Sequence, residues 1–377
     1  MFFVSLILLA TNVSAATIHV PSYAPTIQAG VDSAQVGDNV LVSAGTYYEH
    51  DIIMKAGVTL ASESGAASTI IDAQGLGRGI LIQGIDNVLI NGFTVMNGLK
   101  DYGAGIRVWG GTGNRVENCV ITLCHSTVRG AGMNIRSCVA DVVNCEIYNN
   151  SSDGGGGGLD CFNASPNIES CNIHDNSAVW YGGGIECYEN SSATINGCVI
   201  TDNTCLEGGG VYLSNASHAT ITWNLIARNS AGGNGAGGIA IWNWSHPNIA
   251  YNTIVGNSTS DRAGGINCLN DCQPTIDHNI IAFNEGPAFY CNGTVNPQVS
   301  CNDLFGNTGG NSFCGTDVGN NIYEDPLFCS AESGNYHLES DSPCLSGACG
   351  QIGVYGNGCG AVPTKEVTWG AVKAMYQ

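Results

Sequence analysis

An all-β solenoid, a right-handed parallel β-helix with three strands per coil, is the fold this sequence predicts. Three observations carry that expectation. A unit recurs about every 26 residues, long helical periods are missing, and 53 glycines with abundant asparagine mark many tight turns. A hydrophobic fraction of 44% supplies a core and excludes a disordered chain.

The unit is clearest in Gly182-Gly183-Gly184-Ile185-Glu186-Cys187, followed by Ile195-Asn196-Gly197-Cys198-Val199-Ile200 and then Asn203. Its opening apolar position is held in turn by Ile80, Ile106, Met133, Leu159, Ile185, Val211, Ile239, Ile266 and Phe289. A second column runs Ile90, Val116, Val142, Ile168, Ile195, Ile221, Ile249, Ile276 and Val299. A third runs Val95, Ile121, Ile147, Ile173, Ile200, Ile226, Ile254, Ile281 and Leu304. Three short β-branched segments per unit imply three strands per coil. Each pairs with its equivalent one coil on, about 4.8 Å away, and the apolar columns stack into one core. Leucine-rich repeats and propeller blades have other periods and signatures. Parallel crossovers are almost always right-handed, which sets the hand.

Two polar columns accompany the apolar ones. Asn150, Asn176, Asn203, Asn229, Asn257, Asn284 and Asn307 recur just after the third strand, where stacked amides can bond from coil to coil. Phe93, Cys119, Cys145, Cys171, Cys198, Asn224, Asn252, Asn279 and Asn302 form the other. The cysteines here, with Cys161, Cys187 and Cys268, read as small buried hydrophobes, close enough to neighbouring coils for some bridges.

The chain divides accordingly. Residues 1–15 read as a signal peptide, with an apolar run too short to span a bilayer and small residues Val13-Ser14-Ala15 at its end. Residues 16–57 form an N-terminal cap: a strand over 17–20, a short helix capped by Thr26, and a strand over 40–42. Coils occupy 58–307. Residues 308–360 make a cysteine-rich C-terminal cap, where Cys301, Cys314, Cys329, Cys344, Cys349 and Cys359 can form three bridges in an export setting. Residues 361–377 are a tail with a short amphipathic stretch. A net charge of −20 without a basic run excludes nucleic acid as partner, and no segment spans a membrane. A secreted or surface monomer is expected.

The string Thr17-Ile18-x-Val20-Pro21, Pro25-Thr26-Ile27-Gln28-x-Gly30-Val31, Gly37-Asp38-x-Val40-Leu41-Val42 and Gly45-Thr46-Tyr47 resembles the opening of bacterial β-helix proteins of the pectin lyase-like superfamily. The Gly-Gly-Gly-Ile and Ile-x-x-Asn elements are similar to repeats of chlamydial-type polymorphic outer membrane proteins. Together these likenesses cover about residues 17–307. They imply the fold and leave the activity open, because this superfold hosts lyases, hydrolases and adhesins. The chain lacks the paired aspartates, Gly-His-Gly and Arg-Ile-Lys elements of polygalacturonases, and no lyase arginine motif is found.

Chemistry is expected on the outward side of the first strand, since strand residues alternate between core and solvent. One outward column reads Arg107, Asn134, Asp160, Glu186, Tyr212, Ala240 and Asn267; a second reads Trp109, Arg136, Phe162, Tyr188, Ser214, Trp242 and Leu269. Arg107, Trp109, Tyr188, Tyr212 and Trp242 are the candidate substrate-binding residues, because aromatic faces stack on sugars. The leading reading is a non-catalytic groove for an extended polysaccharide or cell-surface glycan. Asp160 and Glu186, one strand spacing apart, offer an acid/base pair at the separation of a retaining glycosidase. Asp153, Asp160 and Glu186 are the alternative Ca²⁺ ligands, with Arg136 or Arg107 as the base of a β-elimination. An adhesin-like structural protein is the third reading.

Overall fold

The computed structural model describes residues 15–359; the expected signal peptide and C-terminal tail lie almost wholly outside that range. Each coil contributes one strand to each of three long parallel sheets. A thirteen-stranded floor sheet runs from Thr17–Val20 to Thr316–Gly319, and an eleven-stranded back sheet from Gly45–Tyr47 to Asp303–Phe305. A ten-stranded front sheet runs from Ile52–Ile53 to Phe289–Cys291. The expected register holds: Ile106 pairs with Met133, Leu159 with Ile185, and Val211 with Ile239. All three apolar columns are buried, and all their members but Val299 belong to a single core. The only α-helix among the described residues is Ile27–Ser33. Thr26 Oγ1 accepts from Ala29 N at 3.1 Å, and the Glu49 carboxylate accepts from Ile27 N and Gln28 N at 2.7 and 3.0 Å, so the helix start is fully capped.

A fourth, short strand joins the three expected ones. It builds a seven-stranded side sheet from Leu99–Tyr102 to Ser258–Thr259, between the back sheet and the next front strand. Several of its strands are two residues long and made of Ser, Ala and Thr. A glycine-rich turn follows each side strand and leads into the front sheet.

Asparagine and serine ladders tie the coils together. Asn203 Nδ2 donates to Ile173 O at 2.9 Å and to Asn229 Oδ1 at 3.0 Å; its own Oδ1 accepts the backbone N–H and the amide of Asn176. The same pattern repeats from Asn150 to Asn307. A second ladder runs Asn224, Asn252, Asn279, Asn302, and a third joins Ser191, Ser217 and Ser245. These side chains satisfy backbone groups that the turns would otherwise leave buried and unpaired.

The cysteines of the core columns, Cys119, Cys145, Cys171 and Cys198 with Cys161, Cys187 and Cys268, are unbridged thiols. Burial pushes Cys145, Cys171 and Cys268 well above the ordinary thiol range, so they pack as apolar groups and are poor nucleophiles. Three disulfides gather at the C-terminal end: Cys291–Cys314, Cys301–Cys349 and Cys329–Cys359. Cys291 takes the place expected for Cys344. Cys344 is instead a buried thiol whose Sγ lies 3.1 Å from Asp303 Oδ2. The strands Phe328–Ser330 and Asn335–Leu338 form a small antiparallel hairpin, and residues beyond it fold back on the last coils, with Gly353 N donating to His278 O at 2.8 Å.

Asn203 is fully buried and each of its polar atoms is engaged. Asn203→Leu therefore strands the partners on both neighbouring coils and should destabilise the protein by about 1–3 kcal/mol, read as a lowered denaturation midpoint. An unchanged midpoint would show that the ladder is dispensable.

Candidate functional site

The front sheet's outer side is where sequence placed the chemistry, and the glycine turns change what that side offers. Gly156 and Gly182 have φ of 62° and 57°, left-handed values that cost a side chain dearly. A Cβ at Gly156 would sit 2.6 Å from Asp160 Cβ, and one at Gly182 would sit 2.8 Å from Glu186 Cβ. The turn thus curls over the outward residue four positions later. Asp160 and Glu186 each keep only 1% of their surface exposed, and Tyr212 keeps 6%. The expectation of a solvent-facing acid pair is corrected here: the column points away from the main core but lies beneath the turns. Tyr212 is also withdrawn from the surface and packs on Tyr181, with ring centroids 4.8 Å apart.

A buried acid pair needs a counter-charge, and Arg129 supplies it. Its Nη1 donates to Glu186 Oε1, reaching across two coils. Gly155 makes that reach possible, since a Cβ there would collide with the Glu186 carboxylate. Arg129 also lies over the Tyr188 ring at 4.3 Å and approaches the Tyr181 ring at 5.8 Å. Asn134 Nδ2 donates to Asp160 Oδ2. The remaining oxygens, Asp160 Oδ1 and Glu186 Oε2, have no hydrogen-bond partner, and Glu186 feels the charge of Asp160 beside it. Burial lifts Asp160 above the usual carboxylate range, against the pull of Arg129 and Asn134. Burial and the Asp160 charge push Glu186 up to about 8. A proton held on Glu186 leaves the pair with one negative charge opposite Arg129.

The expected Ca²⁺ ligands are not brought together. Asp153 is exposed on the side sheet's flank, with its carboxylate 3.5 Å from His125 Nε2. Asp160 and Glu186 are buried and already neutralised by Arg129. The one cluster of three ligand-type residues among those described, His278 with Cys301 and Cys349, contains two sulfurs held in a disulfide. The residues do not fit a cation.

The second outward column remains accessible. Trp109 is 39% exposed, and Arg136, Phe162, Tyr188 and Trp242 are half-buried; Ser214 and Leu269 are buried. Guanidinium groups alternate with rings along it. Arg107 lies over Tyr102 at 5.3 Å and Trp109 at 4.8 Å, and Arg136 over Phe162 at 3.9 Å. Phe162 meets Tyr188 edge-on at 4.8 Å, and Arg262 spans Trp242 and Tyr290 at 5.2 and 5.5 Å. Arg136 is thus held stacked on Phe162. Arg129, Tyr181, Arg262 and Tyr290 are additions that the column pattern missed. Arg129 and Tyr181 share an aligned column just before the glycine turn, as the bridges from Arg129 to Gly155 and from Gly155 to Tyr181 show.

Two expected outcomes follow from the acid pair. The folded state holds protons on Glu186 and Asp160 that the unfolded chain releases in the ordinary carboxylate range, so this site's contribution to stability falls as pH rises from there to about 8. Glu186→Gln mimics the protonated acid, so thermal midpoints measured from pH 5 to 9 should show the variant gaining on the wild type as pH rises. A constant difference across that range would contradict a proton held on Glu186. Gly155→Val should drive Glu186 off Arg129 and destabilise the fold by about 3 kcal/mol or more, the cost of breaking a buried pair; a neutral result in denaturant titration would show that Glu186 has another place to go.

Comparisons with known proteins agree with the fold. The chain matches the family described as "Right handed beta helix region" over residues 56–226 and 207–325. A crystal structure of the pectate lyase Pel9A superposes with a TM-score of 0.58 at 14% identity, covering 92% of this chain and 98% of that one. The PL6 family alginate lyase AlyGC aligns with a TM-score of 0.42 at 11% identity, covering 90% of this chain and 59% of the enzyme. No curated protein sequence matches significantly. With well over half its length matched and every long sheet parallel, the chain belongs to the right-handed β-helix family.

Proposed function

We propose that this protein is an extracellular binder of an extended polysaccharide, which lies along the front sheet across the second outward column. The row of accessible rings carries this reading: Trp109, Phe162, Tyr188 and Trp242 on that column, continued by Tyr290 on the first, follow the solenoid axis with Arg107, Arg136, Arg129 and Arg262 among them. From the strand of Trp109 to that of Tyr290 there are seven strand intervals, roughly 34 Å at the usual parallel spacing. That length suits a polymer, and rigid rings offer stacking area at small entropic cost. Four of the chain's 11 basic residues stand on this one face of an otherwise acidic protein. A pectate lyase is among the solved structures that share the fold. Three disulfides suit an oxidising compartment outside the cell, and no helix among the described residues is long and apolar enough to cross a membrane.

A catalytic reading in which Asp160 and Glu186 cleave the polymer has one supporting observation, the elevated Glu186. Its burial opposes it, because a general acid must reach the glycosidic oxygen. The binder reading is the better supported.

Retention on immobilised acidic and neutral polysaccharides, with assays for reducing ends and unsaturated uronides, tests both. Trp109→Ala and Tyr188→Ala should each weaken retention by at least about 1 kcal/mol, or about fivefold. Neither product should accumulate. Retention that survives both substitutions would move the functional surface elsewhere, and product formation abolished by Glu186→Gln would establish an enzyme.

A further inference from the structure

The buried polar atoms of the front face that lack a partner fall into two groups along the solenoid. Around the acid pair they are the acceptors Asn134 Oδ1, Asp160 Oδ1 and Glu186 Oε2, with one donor, Arg107 Nε, on the N-terminal side. Toward the C-terminal coils they are all donors: Trp242 Nε1, Arg262 Nη1 and Asn267 Nδ2. The three residues come from neighbouring coils. Asn267 is the outward residue of Ile266–Cys268, the strand lying between Ile239–Ile241 and Phe289–Cys291 in the front sheet. Trp242 follows the first of those flanking strands, and Tyr290 is on the other. Arg262, from the preceding turn, stacks on both rings and so crosses over the strand of Asn267. Asn267 is fully buried, and its Oδ1 is spent on Ile241 N at 3.2 Å, which turns Nδ2 outward from the sheet's backbone bonding. The column that carries Asp160 and Glu186 in earlier coils here carries Ala240, so no carboxylate from the strand fills the place.

Two acids are near Arg262. Asp261 Oδ2 lies 3.7 Å from its Nε, beyond hydrogen-bond reach, and Glu207 feels its charge without bonding to it. Neither occupies Nη1. Three buried N–H donors on neighbouring coils, one of them on a cation stacked against two rings, leave hydrogen-bonding capacity of one sign that an oxyanion would fill.

We propose that Arg262, Trp242 and Asn267 form a pocket for a single oxyanion, a carboxylate or sulfate ester carried by a sugar, at the C-terminal end of the front face. The guanidinium supplies charge and a fork of donors, the indole and amide supply two further N–H groups, and Tyr290 holds the arginine plane. The identity of the carrier as a sugar rests on the polysaccharide reading above; the binding of the oxyanion does not.

Titration of the full chain with glucuronate, its neutral methyl ester and glucose 6-sulfate, followed calorimetrically and by indole N–H resonances, tests the pocket. Glucuronate or the sulfate ester should bind at least tenfold more tightly than the methyl ester. Arg262→Gln should abolish that preference, and one indole resonance, absent in Trp242→Phe, should shift as the acid is added. The relative affinity of the two acids tells planar from tetrahedral oxyanion. Equal binding of acid and ester by the wild type, or an acid preference that survives Arg262→Gln, would overturn the proposal. Should no polysaccharide be retained while the acid still binds in an Arg262-dependent way, the pocket stands and the polysaccharide reading falls. Polysaccharide retention with no acid preference would overturn the pocket and leave the polysaccharide reading standing.

Discussion

Each coil has to bring the chain back to where the coil before it started, one strand spacing further on, and buried side-chain amides hold it to that return. A parallel sheet pairs its strands well, but the turns between sheets leave backbone donors and acceptors facing inward. Asn203 and its equivalents complete them from the coil on either side, so no amide is satisfied by its own coil alone. Position along the axis is thereby locked at every turn, and the apolar columns meet like with like. Where the ladder position carries cysteine, as at Cys119, Cys145, Cys171 and Cys198, the thiol reaches back to carbonyls of the preceding coil, a weaker version of the same tie.

That locking is also what made most of the fold legible. A residue that must match its neighbour a coil away repeats in the sequence, so Ile185, Ile195 and Ile200 announced three sheets and Asn203 announced a ladder. The side sheet carries no such signal, because strands such as Ser151–Ser152 and Ser177–Ala178 are too short and too polar to show alternation. The acid pair was found by its register, yet its burial was missed. Alternation tells which residues leave the core, but not whether a turn later folds over them. Arg129 pairs with Glu186 across two coils, between positions that are not equivalent in the repeat, and a column-by-column reading has no way to join them. The exchange of Cys344 for Cys291 has the same origin, since bridge partners are chosen by a fold-back that has lost the period.

The front face is consequently two surfaces in one. From Asn134 to Asn267 its inner column is a closed stratum of packed polar and aromatic groups, and its outer column is largely an open row of rings and guanidinium groups. Arg129 belongs to both. It neutralises Glu186 below and stacks on Tyr188 above, so the orientation of an exposed ring depends on a buried charge. Disturbing the acid pair would therefore alter the surface without any change at the surface itself.

The two ends of the solenoid are fastened differently, and this gives the molecule a direction. The N-terminal cap is held by a short helix whose start is closed by Thr26 and Glu49, using partners near in sequence. The C-terminal end is fastened by three covalent bonds, one of which joins Cys301 of the last coils to Cys349 of the fold-back. At the N-terminal end the cap offers the first coil a finished edge on which the following coils stack, each contacting only its neighbours. At the other end the three bonds act as a clasp. One edge is closed by bonds that can open and reform freely, while fraying of the other must first break covalent links.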